Sequence, residues 1–183
     1  MSNERLWAPW RLEYVAGDGS SAETELPEPA AWRDGADRDC FLCRAAARFD
    51  DASLADRQMR VAGRSLHVEV VLNRFPYSNG HLLVAPLRHV GQLGDLTRDE
   101  HVECMEWLAR LTNLLSDRLR AEGFNIGLNL GRVAGAGVPG HLHWHLVPRW
   151  ASDHNFMTVT AATRVIPQSL DALWELLTEA LGE

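Results

Sequence analysis

Cysteine is scarce in this chain and odd in number, three among 183 residues. That excludes a disulfide scaffold as the source of its stability. With no apolar signal-like stretch near the start, it points to a reducing, cytoplasmic setting. No apolar run approaches the roughly 18 residues of a membrane span, so no membrane association is expected. Basic side chains are outnumbered, 18 Lys and Arg against 25 Asp and Glu, for a net charge of -7. This balance argues against nucleic acid as a partner, because duplex binding needs a basic face. It leaves room for a small anion held in one locally positive pocket. A 46% hydrophobic content is ordinary for a chain that buries one core, and the length suits one domain with extensions.

The patterning is uneven. Residues 1–15 carry Trp7, Trp10 and Tyr14, and residues 17–39 are polar, with Pro27 and Pro29. The second stretch reads as a loop or linker with little capacity to bury surface. The expected organisation is therefore an N-terminal aromatic segment and polar loop over 1–39, then one domain over 40–183. The run 66–72 is β-branched and apolar and predicts a strand. Pro76 and Asn79-Gly80 predict a turn, and His81–Ala85 the returning strand of a hairpin. Thr97-Arg98-Asp99-Glu100 is a capping box that opens a helix. Val102, Met105, Leu108, Leu111, Leu115 and Leu119 then recur at helical spacing, and Gly123 ends it. Further strands are predicted at 124–130, 141–147 and 156–160, with a terminal helix over 167–181. The expected class is α+β: an antiparallel sheet of about five strands, one long helix and a C-terminal helix.

Chemistry concentrates in His141-Leu142-His143-Trp144-His145-Leu146. Alternation along a strand sends the three imidazoles to one face, roughly 6.5–7 Å apart, and the large apolar side chains to the other. Such a row suits a metal site or imidazole catalysis at phosphorus. A flat strand spreads three rings too far for one ion at about 2.1 Å without ligands from elsewhere. Imidazole is a competent nucleophile toward phosphate and a good leaving group afterwards. Just upstream, Gly131 to Gly140 is rich in glycine, Gly135 and Gly137 included, and predicts a backbone cradle for phosphate oxygens. Cys40-Phe41-Leu42-Cys43 reads as half a zinc site or a redox pair; the lack of a βαβ context weakens the redox reading. Cys104, on the long helix, reads as a packing residue.

These segments, together with LNRFPYSNGHLLVAPLRHV and GFNIGLNLG, resemble the histidine-triad (HIT) superfamily from Cys40 onward. LWAPWR near the start, Pro148-Arg149-Trp150 and Asn155-Phe156 are most similar to its bacterial branch of diadenosine tetraphosphate phosphorylases. The resemblance implies a HIT-like fold and a reaction through a covalent nucleotidyl-histidine. It makes His143 the nucleophile, with His141 orienting it and His145 contacting phosphate and assisting the leaving group. His81 matches an internal histidine that supports the triad. Asn73 matches a residue at the nucleoside end, Asn129 one reaching ribose or phosphate, and Trp150 either lies against a base or is buried by another subunit. Relatives often carry Gln or Ser where Gly137 stands, so the second acceptor, phosphate or water, is not fixed; phosphorolysis is slightly favoured. The resemblance further implies a structural zinc ion on Cys40, Cys43, His89 and His141, and a homodimer joined through its sheets. Magnesium accompanying the polyphosphate is chemically reasonable. The competing expectations are hydrolysis of dinucleoside polyphosphates or phosphoramidates, and a zinc-stabilised nucleotide-binding module without turnover.

Overall fold

The computed structural model describes residues 26–151, 153 and 168–182. The strand expected at 156–160 and the aromatic residues Trp7, Trp10 and Tyr14 lie outside them. Among the described residues two short helices come first, α1 (Phe41–Ala45) and α2 (Ala52–Met59). Strands β1 (Val61–Arg64), β2 (Val68–Leu72) and β3 (Leu82–Pro86) follow, then the long helix α3 (Arg98–Leu119). Strands β4 (Gly123–Leu128) and β5 (Trp144–Arg149) precede the terminal helix α4 (Leu170–Gly182). The five strands form one sheet in the order β1-β2-β3-β5-β4, with every pairing antiparallel.

The capping box forms as expected: the Thr97 hydroxyl accepts from the Glu100 amide while the Glu100 carboxylate accepts from the Thr97 amide. The buried stripe of α3 is Cys104, Trp107, Leu108, Leu111 and Leu115, whereas Val102 and Met105 are about half exposed, at 45% and 48%. The helix is thus turned slightly from its expected apolar face, because Trp107 is drawn in by donating its indole N–H to Ser65. Cys104 packs in this core. Leu142, Trp144 and Leu146 meet it from the sheet, joined by Leu173 and Leu177 of α4. The turn before β3 works through Gly80, at φ +74; a Cβ there would stand 3.0 Å from Leu119 and 3.1 Å from Pro148.

The opposite face carries a smaller cluster of Cys40, Leu42, Cys43, Ala45, Val61, Val71 and Ala85, with Trp32 packed on it. Residues 26–39 are therefore not a free linker: Ala31 bridges to Arg48, and the Arg33 side chain donates to the Ala46 carbonyl. Arg64 donates to the Ala45 carbonyl next to it. Two guanidiniums thereby cap the end of α1 and hold the cysteine-bearing helix on the sheet. Strand β1 and helices α1 and α2 were not legible from periodicity, since Val61–Arg64 is short and contains Gly63.

Candidate active site and metal centre

Strand β5 begins at Trp144, not at residue 141 as the alternation implied. His141 and His143 lie on the lead-in, where the Leu142 amide donates to the Val90 carbonyl at 2.7 Å. The face assignment still holds: the apolar residues enter the main core and the histidines turn away from it. Spacing is tighter than a flat strand gives. The His143 and His145 rings are 5.0 Å apart at 69°, and His81 and His145 are 5.1 Å apart.

The hydrogen bonds settle where the protons sit. His143 Nδ1 is 2.8 Å from the His141 carbonyl oxygen. A carbonyl only accepts, so Nδ1 carries the hydrogen and Nε2 keeps its lone pair. Burial lowers the His143 pKa, against the hydrogen bond to His141, which raises it; the ring is neutral at pH 7. An imidazole in this state is a nucleophile at Nε2. His81 Nε2 lies 2.9 Å from His145 Nδ1. Burial, then the nearby His145 and His143, brings His81 down to about 3 from 6.5. Its folded value lies below its unfolded one, so the unfolded chain takes up the proton first. His81 therefore costs no stability above about pH 6.5, and stability falls as pH drops from there toward 3. Urea midpoints measured across that window will decline with acid, and the slope will be shallower in His81→Gln; equal slopes would remove His81 as the cause.

His141 belongs to a second constellation. Its Nδ1 is 3.4 Å from Cys40 Sγ and 3.5 Å from Cys43 Sγ, and His89 Nδ1 is 3.2 Å from Cys43 Sγ. Ligand atoms of all four residues lie within 4.8 Å of one another. A tetrahedral ion with sulfur at about 2.3 Å and nitrogen at about 2.05 Å would set sulfur and nitrogen about 3.6 Å apart. The four residues fit a metal ion. His141 Nε2 donates to the Pro86 carbonyl at 2.8 Å, which leaves Nδ1 as the ligating atom. Burial pushes the Cys40 thiol up to about 12 and raises Cys43 as well; metal coordination reverses this, since a ligating thiol is deprotonated outright. Among the described residues no other group of three or more His, Cys, Asp or Glu is so placed.

The remaining expected residues separate. Asn73 lies against His81, its Nδ2 3.2 Å from His81 Nδ1. Asn129 follows directly after the last pair of the β4–β5 ladder, Leu128↔Trp144. The glycine-rich loop is less open than predicted: Gly135 and Ala136 spend their amides on Arg132 and Gly131, while Gly137 is exposed. Gly140 has a packing role, since a Cβ there would come within 2.8 Å of His89 Nε2. Trp150 stands at the far end of β5 from His143 and donates its indole N–H to the Leu119 carbonyl at the end of α3. Sequence reasoning missed Tyr77, whose ring lies 4.7 Å from His81 and 5.9 Å from His145. It also missed Gly127, opposite His145 on β4, where a Cβ would meet nothing and the sheet floor stays open. No pattern marked either; ring contacts reveal Tyr77 and strand register reveals Gly127.

Three histidines on the open face of a helix-backed antiparallel sheet, the middle one presenting a bare Nε2, define a histidine-triad protein. A family model for the HIT domain matches residues 56–152, and the chain belongs to the HIT family. It is similar to AP-4-A phosphorylase of Mycobacterium tuberculosis, 38% identical over 167 residues, covering 91% of this chain and 78% of that protein. Over 88 residues it is 33% identical to bis(5'-adenosyl)-triphosphatase of Saccharomyces cerevisiae, covering 48% of this chain and 42% of that one. A zinc-bound histidine triad family protein of Mycobacterium smegmatis has the same fold, with a TM-score of 0.56 at 26% identity, over 68% of this chain and 84% of that one.

Proposed function

We propose that this protein cleaves dinucleoside polyphosphates of the diadenosine tetraphosphate type through a nucleotidyl-His143 intermediate, with inorganic phosphate as the second acceptor. The observation that carries the reading is the His143 tautomer, Nδ1–H held by the His141 carbonyl at 2.8 Å. In the first step the Nε2 lone pair attacks the α-phosphorus. An N–P bond forms, the bridging P–O bond breaks, and ATP leaves. In the second step a phosphate oxygen attacks the same phosphorus. A P–O bond forms, the P–N bond breaks, and ADP leaves with His143 regenerated. Similarity to the M. tuberculosis AP-4-A phosphorylase over 91% of the chain supports this substrate class. Asn129, which follows the last β4–β5 pair, Leu128↔Trp144, is assigned to ribose or phosphate by its match to the family motif.

The metal is read as structural zinc, because two thiolates and two imidazoles are the donor set that tetrahedral zinc takes. When bound, it would supply no chemistry to the substrate and would hold His141 in place. Magnesium would arrive with the polyphosphate. Thiols kept reduced fit a cytoplasmic setting, and no helix among the described residues is long and apolar enough to cross a membrane. A homodimer along β4 is supported by its place at the sheet edge, with Ile126 47% and Leu130 42% exposed; edge strands left open invite pairing.

Incubation with diadenosine tetraphosphate, with and without phosphate, tests the reading. ADP plus ATP formed only with phosphate is the expected result. AMP plus ATP in both samples would make water the acceptor and the protein a hydrolase. No product in either would overturn the proposal in favour of phosphoramidates or a binding module.

A further inference from the structure

We infer that Asn73 and Tyr77 are positioning residues: Asn73 holds the turn, and the Tyr77 amide on that turn fixes the tautomer of His81 and thereby makes His145 present an N–H to the substrate's phosphate. The inference rests on the proposed reaction for its consequence, and on geometry alone for the tautomers.

One directed donor fixes the accepting nitrogen. The Tyr77 backbone amide donates to His81 Nδ1 at 3.1 Å, whereas the Asn73 carboxamide nitrogen lies 3.2 Å from Nδ1 and 3.4 Å from Nε2, against the ring and selecting neither nitrogen. The orientation of the Asn73 amide is not free, because its Oδ1 accepts from the Phe75 backbone amide at 2.9 Å. The NH₂ end must therefore face the ring. Nδ1 of His81 is an acceptor, and in a neutral imidazole the proton then rides on Nε2. That proton points at His145 Nδ1, 2.9 Å away. His145 Nδ1 must accept, so the hydrogen of a neutral His145 sits on its own Nε2.

The chain of constraints gives neighbouring histidines opposite tautomers. His143 carries its proton on Nδ1, against the His141 carbonyl, and offers a lone pair. His145 carries its proton on Nε2 and offers a donor. A nucleophile beside a hydrogen-bond donor is what attack at phosphorus with an anionic leaving group requires. The departing polyphosphate oxygen needs stabilisation of its charge, which a fixed N–H supplies without full proton transfer. Tyr77 contributes a second constraint through its ring, which stacks on His145 at 29° and tilts over His81 at 34°. The ring limits rotation of both imidazoles about the hydrogen bond that joins them. Residues of one turn, between β2 and β3, thus set the polarity of a side chain on β5.

The test begins with imidazole ¹⁵N spectra of the substrate-free wild type. The expected result is a bare Nδ1 and protonated Nε2 at His81 and His145, and the reverse at His143. A protonated Nδ1 on His81 would overturn the inference whatever the substrate proves to be, and the spectra stand even if no nucleotide is turned over. Steady-state kinetics of Asn73→Leu follow, with the Tyr77 amide left in place. Loss of the Oδ1 acceptor that pins the Phe75 amide will loosen the turn, lower kcat about tenfold with KM held, and broaden the His81 resonances by tautomer exchange. A raised KM with unchanged kcat and unchanged spectra would make Asn73 a nucleoside contact and overturn its assignment as a positioning residue.

Discussion

His143→Asn will bind nucleotide and turn over almost none of it. The variant keeps a polar side chain of similar reach, so the pocket changes little, but it has no imidazole nitrogen to attack phosphorus. The expected fall in kcat is about 10⁵–10⁶-fold, the scale of losing a covalent nucleophile. The size follows from how completely the site commits this one ring. His143 is 7% exposed, its proton is tied to the His141 carbonyl, and burial holds it neutral. Neither His141 nor His145 can take its place: one turns into the metal cluster, and the other accepts from His81 at Nδ1. Rapid acid-free quenching of wild type with substrate will trap a nucleotide adduct visible by intact mass, absent from the variant. Retention of a few per cent of wild-type turnover by His143→Asn would show that the phosphate is attacked directly by water or phosphate. The covalent route would then be wrong.

The three-histidine row was legible because alternation with Leu142, Trp144 and Leu146 is a period-two pattern, and burial of those residues against α3 enforces the face. Its precision was not legible. The sequence suggested one strand from residue 141, whereas the strand starts at Trp144 and the lead-in bends His141 away to meet cysteines that precede it by about a hundred positions. Long-range partners of that kind leave no local trace; the C-x-x-C spacing marked Cys40 and Cys43 as half a site, and the resemblance supplied His89 and His141 as the other half. The capping box at Thr97 was readable in full because both partners lie within one turn. Strand β1 was not, since its pairing with β2 has an irregular register between Val61 and Gly63. The glycine-rich loop was legible only as a loop, for a physical reason: small residues signal close approach without saying to what. At Gly140 the neighbour is the His89 ring.

Stripping the metal from the Cys40–Cys43–His89–His141 cluster will weaken the fold and the reaction together. The cluster joins three separate pieces of chain: α1, the segment after β3 and the lead-in to β5. Without an ion those pieces are held by thiol–imidazole contacts of 3.2–3.5 Å, weak hydrogen bonds among groups that burial has made costly. The main core lies on the other face of the sheet and stays intact, so the protein should loosen locally and not unfold outright. Loss of a structural metal belongs with the largest single-site effects, about 4–5 kcal/mol, or roughly 10–20 °C in Tm for a chain of this size. Activity falls as well, by way of one residue. His141 is clamped at Nδ1 by the cluster and at Nε2 by the Pro86 carbonyl, and its own carbonyl fixes the His143 tautomer. Freed at Nδ1, it no longer holds that carbonyl in place, and a displacement near 1 Å at a reacting group costs about a hundredfold. Cys43→Ala, compared with Cys104→Ala in the main core, separates metal loss from loss of a buried thiol. Cys43→Ala should carry no zinc and show both defects, and Cys104→Ala should keep about one zinc per chain. A metal-free protein with wild-type Tm and kcat would mean that the four side chains meet by packing alone. His141 would then owe its orientation to Pro86 and not to an ion.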